Sequence, residues 1–254
     1  MVFRLVHGGL KENLSLTPII NEWHIRGLPR PLKIETSMTE VFKNNPYVDE
    51  VGDFFENDTP AIDFDCLENT QSHHLVDLYA AAALGDTKLV FRKLFYSDIN
   101  LTCKIPSRSI AFGQEFAKQF PNIVSFYKSQ EKPVDTYSTI LKGSALDRLD
   151  DISGARVYIG LDEDDTYLAM ATNTPIIFLH GWRPKNTCKA FRNGIPCELL
   201  SWECNNAANC VKNLAEHHFG NCLYVKCNQE VYKSCQNKVD ENLIKQRLDY
   251  YLNL

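Results

Sequence analysis

The sequence predicts an α/β fold of two parallel-sheet lobes facing a cleft, followed by a cysteine-rich segment and a final helix. Three observations carry this. Short apolar strands alternate with helical stretches in residues 1–95 and again in 96–185, the pattern that builds parallel sheets covered by helices. Two glycines, Gly8 and Gly9, directly follow the first strand. Seven of the nine cysteines crowd between Cys188 and Cys235, where the alternation stops. At 254 residues the chain can bury two small cores or one large one.

Taken in order, Phe3 to Val6 reads as a strand and the segment through Ile19, Ile20 and Trp23 as a helix. Leu32 to Thr36 is again a strand, and Thr39 to Asn44 a helix. Val48 to Phe54 and Ala61 to Cys66 read as strands. His73 to Leu84 is an amphipathic helix stopped by Gly85, closing a first lobe over 1–95. In the second lobe, 96–185, Ile110 to Phe120 reads as a helix, Ile123 to Tyr127 as a strand and Tyr137 to Leu149 as a helix. Arg156 to Leu161 is then a strand, Thr166 to Thr172 a helix and Pro175 to Leu179 a strand. Residues 186–238 form the cysteine-rich segment. In 239–254 Leu243, Ile244, Leu248, Tyr251 and Leu252 recur at helical spacing.

Composition narrows the classes. Apolar residues make up 44% and charged residues 23%, close to a globular average, which excludes a disordered chain. No apolar run approaches the ~20 residues that span a bilayer. The first six residues are too short for the apolar core of a signal peptide, so the expected address is cytoplasmic. A formal charge of -5 argues against a broad nucleic-acid footprint.

Glycines after a first strand let the backbone turn sharply and approach a ligand at a helix start, where N–H groups and the helix dipole favour negative charge. On their own, Gly8 and Gly9 fit that role and a plain strand-to-helix turn equally well. Glu12 is likewise either a reactive carboxylate or an acid favoured by the dipole.

The opening His7-Gly8-Gly9-Leu10-Lys11-Glu12-Asn13-Leu14-Ser15-Leu16-Thr17-Pro18 resembles that of family 9 glycosyltransferases, with Leu14 and Pro18 in step and Glu12 at the family's acidic position. Asn44-Asn45-Pro46-Tyr47-Val48-Asp49-Glu50-Val51 and the helix at His74 to Tyr79 continue the resemblance through residues 3–85. It resumes where Gly160, Asp162, Leu168, Ala169, Thr174 and Pro175 keep the register of the family's second-lobe motif. The resemblance implies two Rossmann-like lobes in the arrangement called GT-B. It also implies transfer of a sugar from a nucleoside-diphosphate sugar to an acceptor hydroxyl, with inversion. Glu12 would be the catalytic base, and Gly8, Gly9, Lys11, Gly160, Asp162, Thr166 and Tyr167 would bind the donor. The acceptor is a glycan, a protein or a modified nucleobase, and an oligomer is compatible with the family.

There are departures. Asp164 and Tyr167 replace the motif's usual Gly and His, and no first strand of the second lobe is recognisable. Glu163, Asp164 and Asp165 put three carboxylates where the diphosphate is implied, which repels it unless a cation intervenes. A binding or assembly module on a degenerate glycosyltransferase fold is therefore the competing reading.

Cys204-x5-Cys210 and Cys222-x4-Cys227 form two pairs that can bring four thiolates to one ion, as in structural zinc sites. Cys188, Cys197 and Cys235, with His217 and His218, are spare candidates; the alternatives are buried thiols or one or two disulfides. A resemblance to the autotransporter heptosyltransferases, whose cysteine cluster binds iron, makes iron or zinc the expected structural metal.

Overall fold

Two fully parallel sheets organise the chain. The computed structural model describes residues 1–53, 60–67, 74–90, 92–96, 108–130, 137–161, 163–180, 195–201 and 240–253. The first sheet contains β1 (Val2–Arg4), β2 (Lys33–Glu35), β3 (Glu50–Gly52) and β4 (Ala61–Asp63), in the order β3-β2-β1-β4. Around it lie α1 (Leu10–Ile25), α2 (Thr39–Phe42) and α3 (Leu75–Leu84). The second sheet contains β5 (Arg108–Phe112), β6 (Tyr137–Ile140), β7 (Ala155–Gly160), β8 (Ile176–His180) and β9 (Cys197–Ser201), in the order β6-β5-β7-β8-β9. Its helices are α4 (Gln114–Gln119), α5 (Pro121–Ser129), α6 (Ala145–Ser153) and α7 (Asp164–Ala171), and α8 (Glu241–Leu252) ends the chain.

Local chemistry explains the helix ends. The His74 Nδ1 accepts the Val76 N–H at the start of α3, and Gly85 supplies the left-handed residue that closes it, with φ +75. Ser144 and Asp147 cap α6 reciprocally, each side chain bonding the other's backbone N–H. Inside α1, Pro18 has no N–H to give the Leu14 carbonyl, and the Thr17 hydroxyl donates to it instead at 2.7 Å. The same hydroxyl oxygen accepts the Phe95 N–H at 2.9 Å, tying the connection between the lobes to α1.

α1 has almost no solvent face. Leu14, Leu16, Ile19 and Ile20 are all fully buried, because α3 flanks the helix within its own lobe and α7 meets it from the second. One apolar core consequently runs through both lobes, from Phe3, Leu16 and Phe42 to Tyr158, Leu168 and Phe178. A second core, under Phe112, Phe116, Ile123 and Val157, takes up Ile244 and Leu248 of α8. The Tyr127 hydroxyl donates to Asp249 at 2.7 Å, and Arg247 pairs with Glu198 at 2.5 Å, fixing α8 to the second lobe.

Four sequence expectations are corrected here. Ile110 to Phe112 belongs to a strand, β5, with α4 beginning only at Gln114, so the second lobe does have its first strand. Ile123 to Tyr127 is the middle of α5. Tyr137 to Ile140 is β6, and its helix starts at Ala145. Cys197 to Ser201, inside the cysteine-rich segment, extends the second sheet as a parallel strand against β8.

Candidate functional site

In an open parallel sheet, ligands bind beyond the carboxyl ends of the strands, where the strand order reverses. The first sheet reverses between β1 and β4, and the second between β5 and β7. Most of the residues singled out from sequence gather at these two points.

At the first point, the turn from β1 into α1 is held from outside by Asp65, just past β4. Its two carboxylate oxygens accept the Val6 and His7 N–H groups at 2.8 and 3.0 Å. Gly8 and Gly9 make the turn. A Cβ on Gly8 would stand 2.8 Å from Leu5 and 3.0 Å from the Cβ of Glu12, whereas one on Gly9 would meet only the Glu12 Oε2, at 3.3 Å. The Glu12 carboxylate therefore lies over Gly9 at the mouth of its own helix. Tyr79 of α3 is buried nearby, and burial first, then the charges of Glu12 and Asp65, push its hydroxyl well above the ordinary tyrosine range. The Lys11 ammonium sits 4.9 Å from the centre of the Tyr167 ring, a cation–π contact from α1 of the first lobe to α7 of the second. Glu12, Lys11 and Tyr167 thus come together where the lobes meet.

The second point is built from the same parts and used differently. Gly113 follows β5 and Gly160 ends β7; a Cβ on Gly113 would collide with Glu163 and the Tyr158 hydroxyl, and one on Gly160 with Tyr158 and Thr166. The Glu163 carboxylate accepts the Glu115 N–H at 3.0 Å and the Leu161 N–H at 3.2 Å. Burial, with Asp165 and Glu115 close by, pushes it up to about 7 against the pull of those N–H groups. Asp165 is 2% exposed; it accepts the Gln114 N–H at 3.2 Å and pairs with Arg148 of α6. Burial raises the Asp165 carboxyl while Arg148 draws it down. The Thr166 hydroxyl donates to the Leu161 carbonyl at 2.5 Å and lies 3.0 Å from the Tyr158 hydroxyl.

The sequence-based picture of three carboxylates crowding a diphosphate is accordingly revised. Glu163 and Asp165 are turned onto the start of α4, and only Asp164 is exposed. Gly160, Thr166 and Tyr167 are buried in internal contacts. Asp162 and the four cysteines Cys204, Cys210, Cys222 and Cys227 lie outside the described residues, as do Cys188, Cys235, His217 and His218. Among the described residues no group of three or more metal-ligating side chains occurs, and Cys66 is an exposed free thiol. No described helix is long and apolar enough to cross a membrane.

Sequence reasoning did not single out Asp65, Asn13, Tyr79, Gly113 or Arg148. Asp65 was the most accessible of these, since Asp63-Phe64-Asp65 puts carboxylates at the carboxyl end of a strand.

No family model and no curated protein matches the sequence. Solved structures do match. The dodecameric iron-containing heptosyltransferase TibC, in complex with ADP-D-beta-D-heptose, superposes with a TM-score of 0.68 over 99% of this chain and 78% of that one, at 13% identity. A glycosyl transferase of family 9 from Veillonella parvula gives 0.60 over 99% and 96%, at 11% identity. The Escherichia coli heptosyltransferase WaaC, with ADP-2-deoxy-2-fluoro heptose, gives 0.50 over 85% and 98%, at 12% identity.

The fold is that of the family 9 glycosyltransferases. Within this glycosyltransferase fold the lobes carry the two switch points, and α1 and α7 form their shared seam.

Proposed function

We propose that this chain is a divergent family 9 glycosyltransferase that moves a sugar from a nucleoside-diphosphate sugar to an acceptor hydroxyl with inversion. The observation that carries the reading is the position of Glu12: a carboxylate over a glycine turn, at the first switch point, on the seam between the lobes. The likeness over nearly the whole chain to structures holding ADP-heptose and an analogue supports a nucleotide-sugar donor.

In this mechanism the acceptor oxygen forms a bond to the anomeric carbon as the bond from that carbon to the diphosphate breaks. Glu12 takes the acceptor proton, and the nucleoside diphosphate leaves with the bonding electron pair. Lys11 stands beside Glu12 as the nearest cation of α1 and offsets negative charge on the leaving group. Gly8, Gly9, Gly160, Asp162, Thr166 and Tyr167 complete the proposed donor side. The acceptor is a glycan, a protein or a modified nucleobase, and the reading includes a cytoplasmic address. TibC is dodecameric and iron-containing, which supports assembly of this chain into an oligomer and a structural iron or zinc at Cys204, Cys210, Cys222 and Cys227.

A second reading, a binding or assembly module without transfer, is favoured by one observation: protein carboxylates already occupy the start of α4 at the second switch point. A thermal-shift series with ADP-, GDP- and UDP-sugars, followed by a transfer assay with the sugar that stabilises, separates the two. A ligand at ~100 times its dissociation constant adds about 2.7 kcal/mol. Stabilisation with turnover supports the enzyme, stabilisation without turnover the binding module, and neither effect removes both.

A further inference from the structure

Asn13 follows the proposed base and is fully buried in α1, as are the polar Ser15 and Thr17. A buried amide is costly unless its hydrogen bonds are made. Here three are made, at both ends of the amide. The Asn13 Nδ2 donates to the Gly8 and Gly9 carbonyls, each at 2.9 Å, and its Oδ1 accepts the Thr36 hydroxyl at 2.7 Å. Thr36 follows β2 directly and also accepts the Met38 N–H at 3.0 Å, so the amide is oriented from the sheet and cannot flip without losing bonds at both ends.

We propose that Asn13 is a positioning residue for the Gly8–Gly9 turn and for the Glu12 carboxylate that lies over it, in a two-sided clamp completed by Asp65. Asp65 holds the N–H groups that enter the turn, and Asn13 holds the carbonyls that leave it. Because a trans peptide sets its C=O and N–H in opposite directions, drawing the Gly8 and Gly9 carbonyls inward turns the Gly9 and Leu10 N–H groups outward, to the side of the turn away from Asn13. The clamp thereby fixes the first turn of α1 from which Glu12 projects. A displacement of ~1 Å at such a point costs about a hundredfold in rate.

The inference rests on the reading of Glu12 as the base, and the test separates the two. Asn13→Asp keeps the shape but sets an oxygen against the Gly8 and Gly9 carbonyls; Thr36→Val removes the hydroxyl that orients the amide, and Thr36→Ser keeps it. With the full chain and the stabilising nucleotide sugar, Asn13→Asp is expected to lower kcat about a hundredfold, with the donor KM within about threefold of wild type. Thr36→Val is expected to lower kcat about tenfold, and Thr36→Ser to restore it. Turnover unaffected by Asn13→Asp and Thr36→Val, or equal losses in Thr36→Val and Thr36→Ser, would overturn the proposal. Should Asn13→Asp fail to fold, the Thr36 pair decides. A wild-type chain that transfers no sugar would remove the enzyme reading alone. The clamp is then judged from amide resonances in Thr36→Val: shifts at Gly8, Gly9 and Glu12 uphold it, and unchanged resonances there refute it.

Discussion

The two switch points share a topology and a cast of glycines and carboxylates, yet they put acid to opposite uses. At the first, Asp65 bonds the N–H groups of the loop, and Glu12 remains over the turn with its oxygen beside Gly9. At the second, the Glu163 and Asp165 carboxyl groups themselves accept the N–H groups at the helix start, and Arg148 pairs with Asp165. A helix start attracts negative charge wherever it comes from, so a side chain there competes with any ligand phosphate for the same N–H groups. On the proposed reading, reactivity lies in the first lobe and anchorage in the second.

Replacing the proposed base tests that division most severely. Glu12→Gln is expected to cut transfer by 10²- to 10⁴-fold while the melting temperature stays close to wild type, because the amide keeps the shape and cannot take a proton. Near-normal turnover would move the chemistry elsewhere. The matching change in the second lobe should do the reverse. Arg148→Ala leaves the buried Asp165 unpaired and is expected to cost about 3–5 kcal/mol in urea unfolding, an effect on folding ahead of any on chemistry.

The glycines sharpen the contrast at smaller amplitude. Gly160→Ala drives a methyl into Tyr158 and Thr166 and is expected to cost ~1–3 kcal/mol. Gly9→Ala meets one movable carboxylate oxygen, so stability should change by less than about 0.5 kcal/mol while transfer falls through displacement of Glu12. Equal destabilisation by the two would erase the distinction.

The second switch point also carries a pH dependence. The folded chain holds the Glu163 proton up to about 7, above the ordinary 4.5 of a free glutamate. A raised carboxyl favours the folded state while protonated, so this contribution is full below about 4.5 and is lost as the pH rises through 7. It amounts to at most about 3 kcal/mol. Glu163→Gln should flatten the stability profile between pH 5 and pH 8, relative to wild type, in a denaturant titration at each pH; an unchanged slope would mean that Glu163 titrates as an exposed acid.

The first lobe was legible in the sequence because its strands and helices are separated by clear stops: Gly8 and Gly9 after β1, and Gly85 after α3. The second lobe was harder to read. Phe112, Phe116 and Phe120 are spaced by four and stack at 5.9 and 4.9 Å, so a helical period ran on through a strand residue and hid β5. Central strands of a parallel sheet are buried on both faces, and Ile110, Ala111 and Phe112 accordingly show no alternation. Ile123, Val124 and Tyr127 read as a short apolar run, although Pro121 at the first turn of α5 marks a helix start. Ser144 with Asp147 announced α6, but the β-branched Thr139 and Ile140 before it were absorbed into the same helix. Of the site, Glu12 and its glycines were visible as a local motif. Asp65 and Asn13 were not, since what matters about them is contact across 58 and 23 residues of chain.

The burial of α1 between α3 and α7 bears on how the molecule comes apart. Leu14, Leu16, Ile19 and Ile20 belong to one apolar core with Leu168 and Phe178, so neither sheet keeps its covering if the other melts. Domains joined by a small polar boundary unfold in separate steps, whereas a common hydrophobic interior links their transitions. Heating should therefore give one calorimetric peak for the two sheets together, with van't Hoff and calorimetric enthalpies in agreement, and the second lobe excised on its own should lose the helix that both require.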